Sequence, residues 1–499
     1  MQETVRDDTE TANGRAGPRA PSAWMRIPAA TRLAIVIFLL CVLFYTLLLF
    51  LVPRYKGVQK TDGDEPHYLL TTQSLIKDGD LDVANNYRHE DYREYYDRKI
   101  EGRNVVVLTG GRTVSRASPF ISLVVLPGFW LFGYKGAAMT MIFISSATAS
   151  LTFLMAEKFT SRKVAAVVTL FLFLSYPLVF YSRLIYPEVA AAFLVMLGVL
   201  SSWHLKESRR PRYAVIAGLS AGLVFIFHPK FFALSASLFV LLLIVSLKER
   251  RFLAWWFLPV AVCFATLLIV YRVAYGPNLI SGLTSAGGSG SMYWGTNSAW
   301  GVAGLYLDRA WGLFIFAPLY ALFPLGLSLQ NNRLEWTRWW LFFPICILAH
   351  TLVLGVFQSW NAGAAVVPRY LVPIAPLFVI CVALLIERCR TRLVMVVAVV
   401  LGLLQIVTTV WAFRFIIGTY GIAARDNVFL EHFLDGGWLK SLLLAVFPLF
   451  HPTGPGSLLL TVAWLLLFCV TIYFARRHYL RYGGGKLSPI IRIHGVIKG

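Results

Sequence analysis

Between Thr61 and Leu70 the chain reads Thr61-Asp62-Gly63-Asp64-Glu65-Pro66-His67-Tyr68-Leu69-Leu70, with three carboxylates and an imidazole packed together. An ionised carboxylate can take the proton of an alcohol, and an Asp-x-Asp pair can hold a divalent metal. Pro66 suits the first position of a helix and Gly79 suits its C-terminal stop. The spacing therefore predicts a helix whose N-terminus carries Asp64 and Glu65, where free N–H groups and the helix dipole favour ionised acids. Capping alone accounts for one acid. It does not account for Asp62, Asp64 and Glu65 together, followed by His67, so chemistry is the better reading. Tyr68, Leu69, Thr72, Leu75 and Ile76 give that helix a half-apolar face suited to a membrane surface.

The elements that must hold these residues are set by composition. The 499 residues are 58% hydrophobic and 14% charged, with a mean hydropathy of +0.66. The apolar excess lies in runs of roughly 17–24 residues, long enough to cross a hydrocarbon core of about 30 Å. A soluble enzyme, a disulfide scaffold and a disordered regulator are excluded. Six scattered cysteines without CxxC spacing read as small buried hydrophobes. The net charge of +21 would suggest nucleic acid in a soluble protein, but in a membrane protein it reflects basic cytoplasmic loops.

Apolar runs lie near 33–52, 120–133, 137–156, 164–181, 188–205, 213–227, 231–247, 252–275, 310–329, 339–357, 370–387, 393–413 and 457–475. If all of them span, the basic connections fall outside, which inverts the positive-inside rule. The run 120–133 is short and holds Pro127 and Gly128. Taken as a half-inserted juxtamembrane helix, it leaves an all-α polytopic protein of about twelve spans with both termini cytoplasmic. Residues 1–30 are then a disordered tail, 31–413 the transmembrane catalytic domain, 414–475 an outer segment and last span, and 476–499 a basic tail. The outer face receives the loops 53–119 and 276–308. Residues 53–117 hold 11 of the 25 acidic residues, balanced by a similar number of basic ones.

Charges at the outer ends of spans are costly and usually functional. Arg183, Lys230 (beside His228) and Arg369 are the cations so placed, and Arg116 precedes the half-helix. Interfacial snorkelling is the plain alternative for each. In the loop 276–308, Gly287-Gly288-Ser289-Gly290-Ser291 lacks the Gly-Lys-Ser/Thr of a nucleotide loop. A lid over a lipid-linked substrate fits better. Tyr293, Trp294, Trp300 and Trp360 suit interfacial anchoring before sugar stacking. The polar, aromatic stretch Asn85–Tyr96 is a plausible acceptor surface. His204, His350 and His451 stand isolated.

Together these residues resemble the GT-C superfamily of membrane glycosyltransferases, especially protein O-mannosyltransferases and the lipid A aminoarabinose transferase. In those families Asp-Glu-x-x-Tyr opens an amphipathic helix, matched here by Asp64-Glu65-Pro66-His67-Tyr68. The likeness continues through Leu131-Phe132-Gly133, Tyr181–Glu188, Gly218–Leu223 with His228-Pro229-Lys230, and Pro368-Arg369-Tyr370-Leu371-Val372-Pro373, over about 60–400. Two positions depart: Arg116-Ala117-Ser118-Pro119 replaces Lys-Pro-Pro, and Glu188 stands where Asp is commoner.

The resemblance implies transfer of a monosaccharide from a polyprenyl-phosphate donor to a glycan, lipid or protein acceptor on the extracytoplasmic face. Asp64 is the expected general base with Glu65 beside it. His67, Tyr68, Arg116, Arg183, Glu188, His228, Lys230, Arg369 and Tyr370 are the expected substrate-binding residues. The resemblance fixes no cofactor; a divalent metal at Asp62 and Asp64 remains an option. The partners are the donor, its acceptor and membrane lipids, not nucleic acid, and the expected location is a bacterial plasma membrane. A flippase for lipid-linked sugars and a non-catalytic homologue are the alternatives. The absence of a clear internal repeat weighs against a transporter.

Overall fold

The computed structural model describes residues 27–52, 60–100, 105–108, 111–116, 118–247, 249–276, 298–329, 334–357, 360–362, 365–414, 441–442, 445–450 and 456–483. The expected disordered tail up to residue 26, the Gly287–Ser291 stretch, Tyr293, Trp294 and His451 lie outside the described residues.

The described chain is a helical bundle. Its first span, α1 (Ala29–Leu51), is followed by α2 (Glu65–Lys77), which begins where the acids and Pro66 place it, and by the short α3 (Ala84–Arg88). A two-stranded antiparallel hairpin, β1 (Val105–Val107) and β2 (Thr113–Ser115), leads into α4 (Pro119–Ala156) and α5 (Arg162–Phe173). The next four helices are α6 (Pro187–Ser208), α7 (Pro211–Phe227), α8 (Phe232–Ser246) and α9 (Leu253–Tyr275). After them come α10 (Ser298–Leu307), α11 (Leu334–Gly355), α12 (Ala375–Arg388), α13 (Arg392–Arg414) and α14 (Gly456–His478).

Two apolar runs are not single helices. The run 164–181 stops at Phe173 and resumes as Leu178–Tyr181 after Pro177, and 310–329 is divided among Leu313–Phe316, Pro318–Leu322 and Phe323–Ser328. Prolines remove the backbone donors a continuous helix would need.

Among the described residues eight helices are long and apolar enough to cross a membrane, and three shorter apolar ones accompany them. The protein is therefore a polytopic membrane protein. Its spans differ in enclosure. In α6, and in the span formed by the 3-10 turn Arg369–Ile374 with α12, most residues are buried. The span that contains α14 is only 6% buried and turns leucines such as Leu459 and Leu466 outward, as a lipid-facing helix does.

α4 carries the half-helix as a fold-back. Phe132 and Gly133 leave helical geometry, Gly133 with φ 56°, and the first half turns onto the second. A Cβ on Gly136 would stand 1.8 Å from the Gly128 carbonyl oxygen, so only glycine permits this approach. Trp130, Leu131 and Phe132 are exposed at the bend.

Charged connections gather at one end of the bundle. Lys158 faces Glu207 at 3.8 Å, Arg209 pairs with Glu249 at 2.8 Å, and the Ser161 hydroxyl donates to Glu387 at 2.6 Å. Arg388 at the end of α12 lies over the Tyr479 ring just past α14, and Ser150 on α4 binds Ala34 near the start of α1. The acid-rich segment lies at the other end, where Arg183 donates to the Leu48 and Val52 carbonyls that close α1.

Candidate active site

Four charged side chains from four elements meet at that second end. Asp64 immediately precedes α2, Glu188 lies in the first turn of α6, Lys230 in the 3-10 turn Pro229–Phe231, and Arg369 opens the 3-10 turn Arg369–Ile374. A proline adjoins each: Pro187, Pro229 and Pro368 directly, and Pro66 two residues after Asp64. Proline fixes φ for a first helical turn, so each charge is delivered where an element begins. Helix N-termini welcome acids and repel cations. Lys230 and Arg369 therefore need carboxylates nearby.

They have them. Lys230 Nζ donates to Glu188 Oε1 at 2.7 Å, and Arg369 Nε donates to the same oxygen at 2.5 Å. Arg369 Nη1 donates to Asp64 Oδ2 at 2.5 Å. The signs alternate along Lys230, Glu188, Arg369 and Asp64. Glu188 is fully buried and the cations nearly so, whereas 38% of the Asp64 side chain is exposed. Asp64 is thus the open end of a buried ion chain. Burial pushes its carboxyl upward, but the charge and hydrogen bond of Arg369 outweigh that and hold it below the ordinary carboxylate value. Its side chain makes no capping bond to α2, so capping does not explain it.

Aromatic faces surround the cations. The Arg369 guanidinium lies 4.3 Å over the Tyr186 ring, and Lys230 lies 5.2 Å from the Phe231 ring and 5.1 Å from that of Tyr370. Tyr68 packs edge-on against Tyr186. His67 Nδ1 is 2.9 Å from the Tyr87 hydroxyl on α3, and burial lowers its pKa. His228 Nδ1 accepts the Lys230 backbone N–H at 3.2 Å; burial, then Lys230 and Arg369, push this ring well below the usual histidine value.

Other expected site residues stand apart. Glu65 is fully buried, with Oε1 accepting the Ile185 N–H at 2.9 Å and Oε2 the Asp62 N–H at 3.3 Å. It braces α2 against the corner that leads into α6. Arg183 serves the carbonyls at the end of α1 and lies over the Phe413 ring, 5.6 Å away. Arg116 Nε donates to the Val105 carbonyl across the hairpin.

Asp62 Oδ1 accepts the Gly63 N–H and Asp64 Oδ2 is taken by Arg369. Among the described residues no group of three or more His, Cys, Asp or Glu side chains is arranged to hold a metal. Trp360 is buried against Gly301 and Gly304, where an added Cβ would come within 2.7 Å of the indole, so it packs α10 rather than facing a ligand.

Two contributors escaped the sequence reading: Tyr186 beneath Arg369, and His350, whose Nε2 lies 2.9 Å from the Tyr370 carbonyl; Tyr87, from the stretch Asn85–Tyr96, lies against His67. Tyr186 had a signal in the sequence, an aromatic immediately before Pro187-Glu188. His350 had none.

No family model and no curated protein matches the chain. Among solved structures it is similar to ArnT from Cupriavidus metallidurans bound to undecaprenyl phosphate, with a TM-score of 0.51 and 14% identity, over 91% of this chain and 73% of that one. The same protein in the apo state is matched with a TM-score of 0.48, also at 14% identity and over the same shares of the two chains. At such identity the likeness is one of fold: over nine-tenths of its length this chain shares the polytopic helical fold of that structure.

Proposed function

We propose that the protein is an inverting membrane glycosyltransferase that moves a monosaccharide from a polyprenyl-phosphate donor to a hydroxyl acceptor on the extracytoplasmic side. The observation that carries this reading is the ion chain itself, an accessible carboxylate joined to two buried cations. Asp64, ionised at neutral pH, takes the proton of the acceptor hydroxyl as its oxygen attacks the anomeric carbon. The bond from that carbon to the phosphate oxygen breaks, and the electron pair leaves on the lipid phosphate, which gains one negative charge. Arg369 and Lys230 stabilise that charge, and the low dielectric around them strengthens the effect. Glu188 keeps both cations in place before the donor arrives. Its Oε2 has no hydrogen-bond partner among the described residues, which leaves acceptor capacity for a substrate hydroxyl.

The bound undecaprenyl phosphate of ArnT supports a polyprenyl-phosphate donor for this chain. Basic connections at the far end of the bundle support an outward-facing site in a bacterial plasma membrane with both termini inside. The test is transfer of label from radiolabelled polyprenyl-phosphate sugars by purified protein. Asp64→Asn should abolish transfer while the protein still folds and binds lipid. A flippase would bind the lipid and leave the glycosidic bond intact, and that outcome would overturn the proposal.

A further inference from the structure

His350 is fully buried on α11, and its position is explained by neither packing nor charge pairing alone. The Tyr370 carbonyl 2.9 Å from Nε2 can only accept, so Nε2 carries the proton and Nδ1 is a lone pair. No group among the described residues donates to Nδ1. A buried acceptor without a donor is costly unless a positive field offsets it. The paired charges Lys230 and Glu188 both act on this ring, and the Phe231 ring that lies beside Lys230 is 6.2 Å from the imidazole. The N–H turns to the backbone, which leaves the backbone bond as the one hydrogen bond of this side chain among the described residues.

That backbone carries Arg369. On its other side the Tyr181 hydroxyl donates to the Val366 carbonyl and the Tyr176 hydroxyl to the Val367 carbonyl. Carbonyls 366, 367 and 370 thus each accept from a buried side chain, and Arg369 sits between them. An ammonium or guanidinium in place of His350 would also donate to Tyr370, but it would set another positive charge beside Lys230. A neutral imidazole donates without changing the charge balance of the cluster.

We infer that His350 is a positioning residue: through the Tyr370 carbonyl it holds the turn that aims the Arg369 guanidinium at the donor phosphate. This rests on the reading above that Arg369 takes that phosphate. Glutamine places an N–H donor near the Nε2 position, whereas asparagine places its amide near Nδ1.

The test measures undecaprenyl phosphate binding and thermal stability of the full-length protein in lipid nanodiscs. Arg369→Gln should weaken binding about tenfold or more, the scale of a lost charged hydrogen bond. His350→Leu should weaken it about fivefold, the scale of a neutral one. His350→Gln should bind within about twofold of wild type and His350→Asn should resemble His350→Leu. In the Arg369→Gln background His350→Leu should cost nothing further, because both changes act through one group.

Wild-type binding by His350→Leu, equal rescue by asparagine and glutamine, or additive losses in the double variant would overturn the inference and leave the Arg369 reading standing. Glutamine that restores stability but not binding would also overturn it, since the role would then be structural. If His350→Leu does not fold, the glutamine and asparagine variants decide. Wild-type binding by Arg369→Gln would overturn both.

Discussion

Of the acids fully buried among the described residues, Glu188 and Asp308 are neutralised in different ways. Glu188 is met by the flexible cations Lys230 and Arg369. Asp308 follows α10 and is met by backbone: Oδ1 accepts the Ala310 and Trp311 N–H groups at 2.8 and 3.0 Å, and Oδ2 accepts the Phe450 N–H at 2.7 Å. Arg309 N–H also reaches the Pro448 carbonyl at 2.9 Å, so two segments distant in sequence are pinned together there. Backbone donors cannot turn to a new partner without unfolding the segment. Long cationic side chains can. The difference separates a fixed clamp from a cluster whose cations are free to change partners.

The largest expected effect comes from breaking the mobile side of this contrast. Asp64→Asn should lower transfer by about a hundredfold to ten-thousandfold, the usual worth of a general base. Its melting temperature near neutral pH should fall only modestly, by the share that the half-open Asp64–Arg369 bond contributes. Activity per folded molecule and a thermal scan check both halves.

Next is Lys230→Met, which leaves Glu188 with one cation in a buried setting. Breaking such a pair costs about 3–5 kcal/mol. Denaturation in detergent should show that loss, and donor binding should weaken with it. Asp308→Asn should cost less, about 1–3 kcal/mol for the backbone N–H groups it leaves unmet. Its turnover per folded molecule should match wild type. If turnover falls as steeply as in Asp64→Asn, Asp308 is not merely a clamp.

pH sharpens the same contrast because the carboxyls of Asp308 and Asp64 shift in opposite directions. Burial, opposed by the three backbone N–H groups, pushes Asp308 up to about 6. The folded state then binds more protons than the unfolded one between about 4, the ordinary value of an unfolded aspartate, and about 6. The Asp308 contribution to stability should therefore fall as pH rises through that window and level off above it. Asp64 is held low, so its contribution should be complete above the unfolded carboxylate value and lost as pH falls through its folded one. Melting temperature against pH for wild type, Asp308→Asn and Asp64→Asn separates the slopes. A wild-type curve parallel to that of Asp308→Asn between pH 4 and 6 would contradict the first.

The smallest effect belongs to a third kind of pair. Lys77 and Asp91 meet at 2.7 Å, but half of the Lys77 side chain is in solvent. Lys77→Ala should change stability by less than about 1 kcal/mol and leave transfer untouched. A larger loss in a denaturant titration would mean that the acid-rich segment is held together by its surface charges.

Much of the frame was legible before any coordinates. Apolar runs mark helices because a bilayer core tolerates little else, and Pro66 and Gly79 mark the beginning and end of α2. Pro127-Gly128 marked the half-helix, and the fold-back at Phe132–Gly133 is where it ends. The breaks after Phe173 and within 310–329 were not anticipated, since hydropathy does not see the backbone donors that proline removes. Adjacent acids could not be told apart either. Asp64 and Glu65 look alike in sequence, yet one reaches Arg369 and the other is spent on backbone N–H groups.

What the sequence by itself determined is which residue types stand at the beginnings of helices, because hydrophobic length and helix-start chemistry are local properties. What only the tertiary structure decided is their pairing. Asp64 and Arg369 lie 305 positions apart, and Glu188 and Lys230 lie 42 apart. Which cation meets which acid depends on how separate helices pack side by side, and no local pattern carries that information. His350 shows the same limit, being an isolated histidine in an apolar run until α11 packs beside the turn that holds Arg369.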